Sequence, residues 1–371
     1  MPNRKPHRKP SAVRASTPSS GTGTRAGADA GAGGGASRRR SARRLPPASA
    51  PAPAPAAAPP PAARAPSRKK LAHTRRLQAA RRTADHKLYG LPNVVGSCFG
   101  VKHAGGVRTD QFCYTVLVTQ KPAAHLLADS EIIPPTVTRL GRQMPTDVRV
   151  IGPLRREAGF AIDDGTQTGT VGAFARRDDG KYYALTCAHC IAGADADILI
   201  EYPNRFGLLL PLGVSSQAEI YSGTGMEPDF GEFDAAIAEV TAPNILQYVE
   251  TRAALPVFQP DPTLGPAELA ALLAFTPVQG WGAAANTILR GQIEGVMVSI
   301  QGQYFDLMIT DPSGGGLTTR GDSGLLWTGP FGQAYGLHLA GDGPPGSSSP
   351  HAFACFAHRA VSRFGLSLLS A

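Results

Sequence analysis

The sequence predicts a mainly β protein. A double β-barrel is expected over residues 156–371, with a small α/β unit over 86–155 ahead of it and a disordered tail over 1–85. Three observations lead there. After Gly159, short strand-like runs arrive in series, separated by Gly-rich turns, the pattern of a sandwich or barrel. Only two helices look credible among those runs. The composition also changes abruptly near Thr83.

That change is largest in charge. Up to Thr83 the chain carries 19 Lys and Arg against one acid, Asp29. This leaves 18 basic and 27 acidic residues for the rest, so the net +9 belongs to the tail. The tail is rich in Ala, Pro, Gly and Ser, as in PASAPAPAPAAAPPPAARAPS. Such a segment buries too little apolar surface to offset its ordering entropy. Its clusters SRRRSARR and SRKKLAHTRRLQAARR suit non-specific contact with polyanions through residues 1–85. No aromatic precedes Tyr89, so stacking on bases is not on offer. The N-terminus shows no apolar signal-peptide core, and no run approaches a transmembrane span, so a cytoplasmic location is expected, with organellar targeting by the Arg-rich, acid-poor tail as the alternative. Five scattered cysteines do not make a disulfide scaffold.

In the 86–155 unit, NVVGSCFGV and FCYTVLVT read as strands joined across a Gly105-Gly106 turn. That turn places Cys98 opposite Cys113, expected as two reduced thiols packed as small apolar groups. KPAAHLLADSEIIPP predicts a helical turn ended by proline, and TDVRVIG a third strand. Beyond Gly159 the expected strands are TVGAFA, KYYALTC, DILIE, FGLLLPL, QAEIY, FDAAIAEV, TILRGQIEGVMVSI, QYFDLMIT, GLLWT, AYGLHLA and HAFACF. Asp179-Gly180 marks a hairpin between the first two. The two helices are PAELAALLAF, opened by Pro266, and FAHRAVSRFG, ended by Gly365.

Two stretches carry chemistry. TRGDSGL puts Ser323 between glycines, where a tight turn exposes a hydroxyl and lets the Gly321 and Ser323 N–H groups converge on one oxyanion. A serine hydroxyl needs a base, and histidine is the usual one. In LTCAHC, His189 follows a strand-like run. A carboxylate must then fix the imidazole tautomer. Asp234, heading FDAAIAEV, is preferred to Asp195, Asp197 and Asp229. The order His, Asp, Ser along the chain is one of several that triads adopt.

On LTCAHC, FDAAIA, RGDSG and AYGLHLAG, the chain resembles the trypsin-like (chymotrypsin-fold) serine proteases over about residues 159–371. VVGSCFGVKHAGGVRTD, TVLVTQKPAAHLLADSEIIPPTV and PTDVRVIG extend the resemblance to the narrow-leaf type of trypsin-like proteins and their bacterial relatives. The resemblance implies a chymotrypsin fold and a serine endopeptidase acting on proteins or peptides, with His189, Asp234 and Ser323 as its triad. Leu317, six residues before the serine, and Leu339, Ala340 and Gly341 correspond to the substrate pocket. No cysteine lies between Cys113 and Cys187, so the disulfide that secreted relatives make behind the histidine is missing.

Other readings compete. Cys187, His189 and Cys190 offer three metal ligands, but no second CxxC or His pair supports them. A redox CxxC needs a βαβ context that this chain lacks. The expectation is therefore no metal and no organic cofactor. His338, His351 and His358 are alternative bases, with His338 expected as a packed or pocket-wall residue. Asp322 is expected to hold the oxyanion turn. The alternative function is a catalytically silent binding module of the same fold, tethered by its basic tail. Oligomeric state has no signature in the sequence.

Overall fold

Two β-sheets account for most of the described chain. The computed structural model describes residues 88–370, apart from 106, 140–141, 153, 157–161, 164–167, 192–194, 202–208, 226–229 and 345–346. The expected tail, 1–85, lies outside the described residues. Among those described, no helix is long and apolar enough to cross a membrane.

The chain opens with β1 (Val94–Ala104), β2 (Val107–Val118), β3 (Thr136–Arg139) and β4 (Arg142–Val150). β1 and β2 form the expected hairpin, but β2 carries two extra residues opposite the Val101–His103 step. Cys113 therefore faces Gly100, and Cys98 faces Thr115. Counting from the turn alone put the two cysteines opposite each other; the bulge corrects that. Neither is in a disulfide, and burial pushes the Cys113 thiol up to about 11. Two short 3-10 turns, Ala124–Leu126 and Asp129–Glu131, stand where a helical turn was expected. β4 then returns parallel to β2.

A connector, β5 (Leu154–Arg156), leads to the strands of the second sheet. These are β6 (Ile162–Asp163), β7 (Thr168–Gly169), β8 (Ala173–Arg177), β9 (Tyr182–Thr186), β10 (Asp197–Glu201), β11 (Leu209–Tyr221) and β12 (Phe233–Val240). FGLLLPL and QAEIY, read separately, fuse into β11. A register shift between Ser215 and Gln217 lets one strand keep pairing with β12 while it bends. Helix α1 (Pro243–Glu250) was not anticipated. Pro243 opens it, and Ile245 and Val249 bury one face at i, i+4 spacing.

The rest comprises α2 (Pro266–Leu273), β13 (Pro277–Gly282), β14 (Thr287–Ile300), β15 (Gln303–Thr310), β16 (Leu326–Thr328), β17 (Ala334–Asp342), β18 (His351–Phe356), α3 (Ala357–Phe364) and β19 (Leu366–Leu369). Six strands run β13-β16-β17-β18-β15-β14, and β14 pairs back with β13, closing a ring. The other sheet runs β19-β8-β9-β12-β11-β10-β6-β7 as an open path among the described residues. Among the described residues one sheet thus closes a ring, where two barrels were expected. β1 pairs with β14, so the N-terminal strands extend the first sheet, and the Arg149–Glu294 ion pair ties β4 to β14.

Gly365 takes a left-handed conformation, φ 64°, which ends α3 and sends β19 across to pair with β8. One apolar cluster joins the two sheets, with Tyr183, Leu185, Ala235 and Ile237 from one and Leu337, Leu339, Phe353 and Cys355 from the other. Asp306 accepts from the Gly231 and Phe356 N–H groups and from Arg359 Nη1 at 2.9 Å. The helix is thereby fastened to the approach to β12, the strand that carries Asp234.

Candidate active site

Strand pairing brings His189 to Asp234. β12 lies antiparallel to β9, with Ala236 opposite Thr186, so Asp234 falls beside the first residues after β9. There the chain makes a 3-10 turn, Ala188–Cys190. Asp234 is fully buried and holds His189 at two points. Oδ1 accepts the backbone N–H at 3.1 Å, and Oδ2 accepts from Nδ1 at 2.6 Å. These contacts compensate the buried carboxylate and leave Nε2 as the basic nitrogen. Burial by itself lowers an imidazole, but the Asp234 hydrogen bond and the Cys190 side chain outweigh it and hold His189 above its usual range. Asp195 and Asp197 are exposed and bond to or pair with β11. Asp229 lies outside the described residues.

Ser323 sits on a turn that only glycine permits. Gly321 has φ 128° and Gly324 φ 93°, and a Cβ at Gly324 would lie 2.3 Å from the Thr170 carbonyl oxygen. Asp322 braces the turn from inside. Its Oδ2 accepts from the Thr319 N–H at 2.8 Å and its Oδ1 from the Ala284 N–H at 3.2 Å, the structural role expected of it. Ser323 is fully buried, and its hydroxyl donates to the Leu339 carbonyl at 3.2 Å.

The serine turn is stitched to the histidine strand. Thr170 donates through its hydroxyl to Gly321 O and through its N–H to Ser323 O, both at 2.8 Å. Thr170 O accepts in turn from Thr186 Oγ1 at 2.8 Å. Cys190 Sγ reaches Ser323 O at 3.6 Å, and Cys187 Sγ reaches His338 O at 3.0 Å. Sequence reasoning missed Thr170. Its partner Gly321 is 151 residues away, and nothing in TGTVG announces that.

The expected pocket residues separate. Leu339 and Ala340 line a cleft of ≈ 180 Å³ with Leu154, Glu232, Gln301, Gln303 and Phe305, and Gly341 follows on β17. Leu317 lies in the apolar cluster that includes Ile309, Leu325 and Trp327, and its N–H donates to Ser349 O. Leu317 does not line that cleft.

The other histidines differ from one another. His338 is fully buried on β17 with its ring edge-on to Trp327, the packed role expected. His351 makes a second two-point pair: its N–H and Nδ1 meet Asp342 at 2.8 and 2.7 Å. His358, on α3, is pushed down to about 4 by burial.

Cys187, His189 and Cys190 place one ligand atom each within 4.8 Å of one another. His189 Nδ1 is bonded to Asp234 and the two sulfurs to backbone carbonyls.

No family model matches the sequence, and no curated protein matches it. Solved structures of serine proteases share a distant likeness of fold. A Nocardiopsis protease is 16% identical at TM-score 0.37, covering 57% of this chain and 97% of its own. The HtrA-type protease AlgW, solved with a decapeptide, is 16% identical at TM-score 0.33 over 58% of this chain, which spans 62% of it. The protease Anisep from Arthrobacter nicotinovorans is 13% identical at TM-score 0.30, over 74% of this chain and 96% of its own. Likenesses so distant do not carry a function; the arrangement of side chains has to.

Proposed function

We propose that this chain is a serine endopeptidase of chymotrypsin fold, with residues 156–371 as the protease domain and 86–155 as a small unit before it. The observation that supports it best is the two-point grip of buried Asp234 on His189, on a strand bonded through Thr170 and Cys190 to the Ser323 turn. In this reading His189 Nε2 removes the Ser323 proton as the hydroxyl attacks a peptide carbonyl. The Gly321 and Ser323 N–H groups receive the oxyanion, and Asp234 stabilises the imidazolium. His189 then protonates the leaving amine, and water hydrolyses the acyl-enzyme. The chemistry needs no metal or organic cofactor. The tail would add non-specific polyanion contact.

The test is labelling of the full chain with a fluorophosphonate, which reports an activated serine. The wild type is expected to label, and Ser323→Ala not to. A folded wild type that fails to label would remove the reading. A second reading, a silent binding module of the same fold, draws on one observation: Ser323 is fully buried and donates to Leu339 O.

A further inference from the structure

β17, whose Leu339 carbonyl accepts the Ser323 hydroxyl, has neighbours on both sides. β17 pairs with β18 along one side as far as Gly341. Along its other side it pairs with β16 only up to Leu337. Past that point this second edge runs beside the serine turn: Gly324 donates to His338 O, and Ser323 Oγ donates to Leu339 O. An open strand edge next to a nucleophile is where an extended peptide would dock, adding itself as one more strand.

This edge is already taken. β5 pairs antiparallel with it, with Leu154 opposite Asp342, Arg155 opposite Gly341 and Arg156 opposite Ala340. The direction matters. From Leu154 to Arg156 the segment advances along β17 toward Leu339, the residue whose carbonyl holds the serine hydroxyl. It therefore runs as the acyl half of a substrate would, approaching the nucleophile from its N-terminal side. Two anchors fasten it. Leu154 is half-buried against the cluster between the sheets and lines the same cleft as Leu339 and Ala340. Just upstream, the Gly152 N–H donates to Asp342 Oδ2 at 2.9 Å.

We propose that Leu154–Arg156 is an autoinhibitory strand, occupying the β17 edge that an extended peptide substrate requires, so that the site accepts a peptide only when this segment leaves. The proposal rests on the protease reading. Peptide binding is weakened by the fraction of molecules with the edge vacant, so loosening the segment should lower KM and leave kcat largely unchanged.

The test compares wild type and Arg155→Pro, as full chains, in hydrolysis of a fluorogenic peptide library and in fluorophosphonate labelling. Proline removes a backbone donor and interrupts strand pairing. The expected result is a rise in kcat/KM on the order of tenfold, carried by KM, with Ser323-dependent labelling in both proteins. Leu154→Ala, which keeps the backbone and loosens one anchor, should move the same way by a smaller factor and covers the case in which the proline variant does not fold. Labelling in both proteins with kcat/KM unchanged or lower in folded variants would overturn the proposal. Absence of labelling in every form would instead remove the protease reading on which it stands.

Discussion

Two histidines in this molecule are held almost identically, in different surroundings. His189 and His351 each give a backbone N–H and Nδ1 to one fully buried aspartate, at 3.1 and 2.6 Å for Asp234 and at 2.8 and 2.7 Å for Asp342. What separates them is the surroundings. His189 is followed by Cys190, whose sulfur touches the Ser323 carbonyl, and β9 is bonded through Thr170 to the serine turn. Asp342 also accepts from Gly152, so the second pair closes the junction of β17, β18 and the connector. An oriented imidazole is thus a general structural device.

Substitution of the two histidines is expected to split them most widely. His189→Ala should lower kcat for peptide hydrolysis by about 10⁴-fold or more, as loss of a triad member does. His351→Ala should change kcat by less than about tenfold and act on stability instead. Steady-state kinetics beside urea melts read both. The stitch itself comes next: Thr170→Val deletes the hydroxyl bonded to Gly321 O. Losing a buried hydrogen bond costs about 1–3 kcal/mol. Borne by the geometry of the turn, that cost lowers the labelling rate by roughly 5-fold to 150-fold.

His358 sharpens the contrast from the other side. Burial dominates there and Arg359 adds to it, while Asp306 opposes without overcoming them. Its folded pKa of about 4 lies below the ordinary value near 6.5, so the unfolded chain binds the proton more readily. Its stabilising share is complete above about pH 6.5 and is lost as pH falls toward 4, a change of about 3 kcal/mol. Urea melts at pH 7 and pH 4.5 should show acid destabilisation that shrinks in His358→Phe. The smallest effect belongs to the exposed rivals of Asp234. Asp195→Asn and Asp197→Asn should stay within about 0.5 kcal/mol of wild type in urea melts, with labelling unchanged.

Much of this was legible in the chain. Alternation and turn residues located most strands, and Pro266 and Gly365 marked two helices. Ser323 stood out as a candidate because a serine between glycines demands a special turn, and Asp234 because it heads an apolar run. What stayed hidden depends on contacts far apart in sequence or on counts that a bulge alters. Cys113 missed Cys98 because β2 holds two extra residues. Thr170 and the β5–β17 pairing join residues that lie far apart along the chain. The pairing of the loop before the serine with Ser349 is likewise a contact no local pattern announces.

The most direct test exchanges each aspartate for its neutral isostere. Fluorophosphonate labelling of Ser323 would be timed in Asp234→Asn and in Asp342→Asn, with the labelled residue mapped by mass spectrometry. The expected rate is about 10⁴-fold lower in the first and within about tenfold of wild type in the second. Equal losses in both, or a greater loss in Asp342→Asn, would contradict that expectation.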